Sequence, residues 1–233
     1  LLPLAKKYMM SRGLEEKKFV YLPNGIHLDE NKKNDFRAIC SDERLLRARD
    51  QGMLVIGYAG SHGLANNLIP FIEASSKSNS DLLFVLIGDG PEKDKLISRS
   101  NKLGCGNTIF LDRIDKKYIP SALSFFDIAY ISLQHKPLFD YGISPNKLMD
   151  YMNAGLPIIN GIISKHDPIR DANCGITLKK NTSQELLNTI MKLKAIGRDK
   201  LKELGNNGKN YVLDNHNYKN LSSKFLKRME SIL

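Results

Sequence analysis

The stretch that most restricts this chain is Leu82-Leu-Phe-Val-Leu-Ile87, a run of apolar residues with no polar alternate. A strand that is apolar on both faces must be covered on both, which is the situation of a parallel strand inside an α/β sheet. Val55-Ile-Gly-Tyr58 has the same character. Both runs are far shorter than the ~20 residues of a membrane-spanning helix. Further strand candidates are Phe19–Leu22, Met53–Ala59, Thr108–Leu111, Ile128–Ser132, Pro157–Asn160 and Ile176–Leu178. Between them the pattern predicts helices at Asp42–Asp50, Ala65–Ser76, Glu92–Leu103, Lys117–Phe125, Asn146–Asn153 and Pro168–Ala172. Repeated strand–helix–strand units predict an α/β fold with a doubly wound, Rossmann-like parallel sheet. After Leu178 the pattern turns helical, with segments at Ser183–Ala195, Asp199–Val212 and Tyr218–Leu233.

The 233 residues suffice for a sizeable core. They open at Leu1-Leu-Pro-Leu without an initiator methionine and without a basic stretch followed by a long apolar one. This reads as a segment of a longer protein, with no signal peptide evident in its opening residues. Cys40, Cys105 and Cys174 have no metal or redox spacing, as suits a reducing cytoplasm. The five histidines form no H-x-x-x-H pair, so no metal site is expected. The net charge is +10, and the stretch from Ile190 to Leu233 sets ten basic residues against four acidic ones. Such a balance serves anionic lipid, nucleic acid or solubility alone. Aromatic residues do not interleave with the basic ones as a nucleic-acid platform requires.

In doubly wound sheets ligands sit at the carboxyl ends of the strands. The segments expected there are Gly60-Ser-His-Gly63, Gly88-Asp-Gly-Pro91, Asp112-Arg-Ile-Asp115, Gln134-His-Lys-Pro137 and Tyr141-Gly-Ile-Ser144. Short Gly-rich loops that run into helices expose backbone N–H groups and suit phosphate. No Walker motif is present, and Gly57-Tyr-Ala-Gly60-Ser-His-Gly63 is only a distorted relative of the dinucleotide fingerprint. In Ser144-Pro-Asn-Lys147 the spacing predicts Ser144 as N-cap and Pro145 as the first helical residue, with Gly155 and Pro157 ending the helix. Lys147 then stands where a carboxylate is usual, on an already positive helix end. A diphosphate bound at that end resolves the anomaly, with the amides near Ile143 and Ser144, the helix dipole and the ammonium converging on it. Asp150, one turn on, suits the paired hydroxyls of a ribose; the plainer alternative is a solvated Lys147–Asp150 pair. His62 either reaches a phosphate oxygen or is a loop residue bonded to backbone.

Pro145-Asn-Lys-Leu-Met-Asp-Tyr-Met-Asn-Ala-Gly-Leu-Pro157 resembles the donor-binding motif of glycosyltransferase family 4, in the C-terminal domain of GT-B enzymes. Pro23-Asn-Gly-Ile26, Tyr58-Ala-Gly-Ser-His-Gly63, Gly88-Asp-Gly-Pro91, Phe110-Leu-Asp-Arg-Ile114, Asp171-Ala-Asn-Cys-Gly175 and Leu204-Gly-Asn-Asn-Gly208 follow in the family's order. The resemblance implies one domain of a two-domain GT-B fold. Residues 1–17 would be a helical tail of the N-terminal domain or a linker, 18–215 the nucleotide-sugar domain, and 216–233 a helix crossing back. It implies retaining, metal-independent transfer from a nucleoside diphosphate sugar, UDP-sugar favoured, with no cofactor. The implied donor-binding residues are Gly60, Ser61, His62, Gly63, Gly88, Asp89, Gly90, Arg113, Ile114, Gly142, Ile143, Ser144, Asn146, Lys147 and Asp150. The catalytic residues are not identified, the acceptor half would lie before Leu1, and the segment alone is expected to be inactive.

Two motifs depart from the family pattern. The first acid of its motif falls at Gly142, eight residues before Asp150, with Asp140 a neighbouring substitute. Ser61, His62, Asn66 and Asn67 stand where many members carry cations in the first loop, which leaves Lys147, assisted by Arg113. The Ser-Pro-Asn-Lys form is most similar to bacterial surface-polysaccharide transferases (O-antigen or capsule), including those for N-acetylated amino sugars. A lipid-linked saccharide acceptor and a cytoplasmic site at the inner membrane surface follow from that. The rivals are a sugar-nucleotide epimerase of GT-B architecture, an NAD-binding domain with Asp89 as ribose acid, and a basic nucleic-acid module.

Overall fold

The computed structural model describes residues 2–27 and 35–230. Six strands, β1 (Leu54–Ala59), β2 (Leu82–Ile87), β3 (Thr108–Leu111), β4 (Ile128–Ile131), β5 (Ile158–Asn160) and β6 (Gly175–Thr177), form one sheet in the order β3-β2-β1-β4-β5-β6. Every pairing is parallel, with Leu54 opposite Leu82 and Ile56 opposite Ile128. The order reverses between β1 and β4, which is where a doubly wound sheet opens a crevice at its carboxyl edge. Phe19–Leu22, expected as a strand, joins no ladder; the nearby Ile26 makes only an isolated bridge to Asn217.

The helices are α1 (Lys6–Ser11), α2 (Glu43–Arg47), α3 (Ile69–Ser76), α4 (Lys93–Lys102), α5 (Ile119–Leu123), α6 (Asn146–Asn153), α7 (Pro168–Asp171), α8 (Ser183–Ala195), α9 (Gly197–Asn215) and α10 (Tyr218–Glu230). The last three residues of the helix expected at Tyr218–Leu233 lie outside the described residues. Two expected helices are broken at their starts. A 3₁₀ turn at Leu64–Asn66 ends in Asn67 at φ 45°, so α3 begins only at Ile69, with Pro70 in its first turn. Likewise Lys116–Tyr118 is a 3₁₀ turn, and α5 restarts beside Pro120. Proline needs no N–H partner there and favours a fresh helix start.

Along β1 and β2 successive side chains enter opposite layers. Val55, Leu83, Val85 and Ile87 pack in one core with Leu148, Met149 and Met152 of α6. Leu54, Ile56, Leu82, Phe84 and Leu86 pack in the other with Phe71 and Ile72 of α3 and Leu186, Ile190 and Leu193 of α8. Each fully buried aliphatic side chain contributes about 1.5–3 kcal/mol, which explains why the central strands carry no polar alternate. The end of α6 follows the sequence expectation. Gly155 at φ 70° donates to the Met152 carbonyl at 2.9 Å, and Leu156 donates to Tyr151 at 3.1 Å. This pair of bonds is a Schellman cap. A Cβ on Gly205 would overlap the Gly155 carbonyl, so the glycine of Leu204-Gly-Asn-Asn-Gly208 lets α9 lie directly on that cap.

Candidate functional site

The start of α6 differs from expectation by one residue. Pro145 is the N-cap and Asn146, exposed, the first helical residue, so Lys147 is the second. Ser144 does not cap the helix; its hydroxyl accepts from Asn24 N–H at 3.3 Å. Lys147 reaches across the crevice to the end of β1. Its Nζ donates to Tyr58 Oη and to Asn66 Oδ1, both at 2.6 Å, and lies 4.6 Å from the centre of the Tyr58 ring. The Tyr58 hydroxyl in turn donates to the Ser61 carbonyl at 2.7 Å, and Asn66 Nδ2 donates to the same oxygen at 2.9 Å. No carboxylate among the described residues pairs with Lys147, and the Lys147–Asp150 ion pair of the plainer alternative does not form. Burial draws the ammonium down from its usual 10.5 to about 8. Half-buried with neutral partners, this cation has no compensating charge beside it among the described residues.

The Gly-rich loops behave differently from the expectation of amides open to phosphate. Gly60 donates to Ile87, His62 to Asp89 and Gly88 to Leu111 through their backbone N–H groups. Gly90 N–H donates to its neighbour Asp89 Oδ1 at 2.7 Å. The Gly60 and His62 amides zip the two loops together, Gly88 ties the second loop to β3, and Glu92 N–H closes the seam on the His62 carbonyl at 2.9 Å. A Cβ on Gly88 would overlap the Gly60 carbonyl, and one on Gly90 would come within 2.7 Å of the His62 backbone. The glycines are there because two backbones touch. Gly63 begins the 3₁₀ turn that carries Asn66. Asp89, the acid a nicotinamide cofactor's ribose would need, already accepts from Gly90.

His62 neither reaches the cleft nor bonds to backbone through its ring. It is fully buried, and neither ring nitrogen has a partner among the described residues. Burial, with help from Lys93 and Lys147 and against Asp89, lowers it from 6.5 to about 4, so the ring is neutral.

A hollow of about 560 Å³ opens in front of the zipped loops, lined by Gly60, Ser61, Gly88, Asp89, Gly90, Arg113, Ile114 and Lys116. Lys116 and Ile119 connect it to a second hollow of about 310 Å³ that holds Asp150. Burial pushes the Asp150 carboxyl above its ordinary value, while Lys116 pulls it the other way. The structure therefore gathers Ser61, Asp89, Arg113, Ile114, Lys147 and Asp150 around one crevice at the sheet switch. It leaves Gly142 and Ile143 apart from the open space. Ile143 is core, and Gly142 at φ 106° sits under Pro3, whose Cδ would be 2.5 Å from a Cβ. An acid at 142 has no room in this arrangement. Asp140 instead lies 3.7 Å from Lys165.

The sequence model of the family described as glycosyl transferases group 1 matches residues 47–211. The chain belongs to the glycosyl transferases group 1 family. Its fold is that of the Rossmann-like domain of GT-B glycosyltransferases. It is similar to the crystal structure of Anabaena Alr3699/HepE in complex with UDP-glucose, at 16% identity and TM-score 0.73, covering 97% of this chain and 61% of that one. It is similar to sucrose-phosphate synthase from Thermosynechococcus elongatus, at 15% identity and TM-score 0.75, covering 97% and 56%. A third match is WaaG, a glycosyltransferase involved in lipopolysaccharide biosynthesis, at 20% identity and TM-score 0.60, covering 85% and 53%. The chain thus spans little more than half the length of these proteins. No curated protein sequence matches significantly. Among the described residues no helix is long and apolar enough to cross a membrane, and no three His, Cys, Asp or Glu side chains gather as a metal site.

Within this family fold, the sequence reading missed Tyr58, Asn66 and Lys116 as site residues, and Lys93, whose charge acts on His62. Tyr58 is hidden in an apolar run, and only its position at the strand's carboxyl end hints at its hydroxyl. Lys93 is the first residue of α4 and pairs with Asp112 at 2.5 Å. A cation at a helix start is the same signal that singled out Lys147.

Proposed function

We propose that this chain is the donor-binding part of a retaining, metal-independent glycosyltransferase that uses a nucleoside diphosphate sugar, UDP-sugar favoured. The observation that carries the reading is Lys147, a half-buried ammonium at the switch between β1 and β4 with only neutral partners. The diphosphate takes the place beside that ammonium, and Lys147 turns from Tyr58 and Asn66 toward the phosphate oxygens. A charge already aimed at the leaving group stabilises the negative charge that develops as the sugar departs. Arg113, Ile114 and Lys116 edge the nucleoside, and Asp150 accepts from the ribose hydroxyls. The similar HepE structure, crystallised with UDP-glucose, supports a uridine donor.

The transferred group is a hexose or N-acetylated amino sugar, and the product a bacterial surface polysaccharide built on a lipid-linked acceptor at the inner membrane face. WaaG's role in lipopolysaccharide biosynthesis supports that setting. The acceptor site belongs to a partner domain reached by residues 1–17 and 216–233, so residues 18–215 bind donor without transferring it.

The test is a thermal shift of the chain with UDP, GDP, ADP and NAD, each with and without EDTA. A ligand at ten times its dissociation constant adds ~1.4 kcal/mol, or about 3–5 °C for a domain of this size. A shift with UDP that EDTA leaves unchanged is expected. A shift with NAD alone, or one that EDTA removes, overturns the reading.

A further inference from the structure

The loop that leads into α6 is held from outside the sheet. Asn24 N–H donates to Ser144 Oγ at 3.3 Å, and Asn24 Nδ2 donates to the Ser144 carbonyl at 2.6 Å. The Asn24 carbonyl is 2.7 Å from His216 Nδ1, at the corner between α9 and α10. A carbonyl only accepts, so Nδ1 carries the hydrogen. His216 is buried, and the same corner is tied down twice more. Ile26 N–H donates to the His216 carbonyl at 2.8 Å, and Tyr218 N–H to the Ile26 carbonyl at 3.1 Å. Gly25 makes this possible, since a Cβ there would come within 2.8 Å of Leu221 and Tyr218 and 2.9 Å of the His216 carbonyl.

Ser144 stands three residues before Lys147, and α6 has no side-chain cap of its own. The register at which the helix begins is therefore set through Ser144, and Ser144 is set by Asn24. A turn of the first helical residues moves the Lys147 stem, and its ammonium must span the crevice to meet Tyr58 and Asn66.

The geometry points to Asn24 as a positioning residue for Lys147, locked by His216, so that movement of the chain entry or of the α9–α10 corner changes how tightly a diphosphate is held. The ligand in this inference rests on the donor reading; the mechanical coupling does not.

Asn24→Ala in the full chain tests it with two readouts. The first, without ligand, is the NMR titration of the Lys147 side chain. Loss of the bridge loosens the ammonium from its buried seat, and its midpoint is expected to rise by about one pH unit. The second is UDP affinity by calorimetry, expected to weaken about tenfold. The double variant Asn24→Ala/Lys147→Ala should then bind no worse than Lys147→Ala alone. An unchanged Lys147 midpoint, or losses that add in the double variant, overturns the inference. If the midpoint moves while Lys147→Ala itself leaves UDP affinity intact, the positioning role stands and the donor reading falls. Should Asn24→Ala fail to fold, Ser144→Ala gives a smaller shift of the same sign, with Ser144→Thr restoring the wild-type midpoint; no shift in Ser144→Ala overturns the inference equally.

Discussion

The zipped loops after β1 and β2 and the loop before α6 both bend at glycines with positive φ, but the neighbours differ. Gly88 and Gly90 press on the backbone of Gly60 and His62, and the amides of Gly60, Gly88 and Gly90 are all engaged, with Ile87, Leu111 and the Asp89 carboxylate. Gly142 faces the ring of Pro3, and its loop is held by Pro3, Leu4, Tyr8 and Asn24 from an outlying segment. Leu4 N–H donates to the Tyr141 carbonyl at 2.9 Å, and the Tyr8 and Tyr141 rings are 5.2 Å apart. The first pair of loops is thus a rigid floor that follows the sheet. The second is a wall that follows whatever holds the N-terminal segment. Lys147 joins them, rooted in the wall and anchored on the floor.

The largest expected effect tests the floor. Gly88→Ala places a Cβ on the Gly60 carbonyl at φ 146°, and neither backbone can yield without losing the seam. It should cost more than about 4 kcal/mol, the range of the most severe substitutions, seen as loss of a cooperative urea transition. Gly142→Ala meets side chains rather than backbone, the Pro3 ring at 2.5 Å and His166 Cβ at 3.3 Å, and should cost less, about 1–3 kcal/mol. Equal losses at the two positions would break the comparison.

His62 sharpens it next. Its folded pKa, about 4, lies below the unfolded 6.5, so the fold binds fewer protons than the unfolded chain between those values. Stability from this group is complete above pH 6.5 and falls as the pH drops toward 4, by about 3 kcal/mol in all. His166 and His216 are shifted in the same direction, so the diagnostic quantity is the difference between wild type and His62→Gln. Urea midpoints at pH 7 and 4.5 should converge in the variant by His62's share; identical slopes in both proteins would remove His62 from the floor's acid sensitivity.

Lys147→Ala should weaken UDP about 30-fold, about 2 kcal/mol for a charge-assisted contact, and change folding stability by less than about 1 kcal/mol. The pH dependence has two opposite signs. UDP binding takes up a proton as the free ammonium's value of about 8 rises toward a phosphate, so affinity holds below pH 7 and declines above pH 8. Stability from the same group increases from about pH 8 to 10.5, because the unfolded lysine keeps its proton longer than the folded one. Calorimetry at pH 7 and 9 that gives equal affinities in the wild type would count against Lys147 as the phosphate cation.

The smallest effect belongs to the rim. Lys116 is exposed at the mouth shared by the two hollows, and Lys116→Ala should weaken UDP two- to threefold, about 0.5 kcal/mol. A loss as large as that of Lys147→Ala would move the diphosphate toward Lys116.

Much of this was readable from residue order. The all-apolar runs at β1 and β2 dictated a covered parallel sheet, because nothing else hides both faces of such a strand. Gly155 with Pro157 marked the end of α6, because a left-handed glycine closes a helix by local bonds alone. Lys147 stood out because a cation opposes the helix dipole next to it. The errors share a cause. Ser144 looks like an N-cap in isolation, but Asn24, 120 positions away, takes its hydroxyl. The glycine amides look free for phosphate until neighbouring strands take those of Gly60 and Gly88, and the Asp89 carboxylate that of Gly90.

By itself the sequence determined the fold class, which strands are covered on both faces and the anomaly at Lys147, since each follows from neighbours within a turn or a strand. Only the tertiary structure decided what meets that lysine, which glycines are structural, and that the entry segment and the α9–α10 corner grip the helix carrying it. Those outcomes depend on hydrogen bonds and contacts between residues far apart in the chain, and no local propensity contains them.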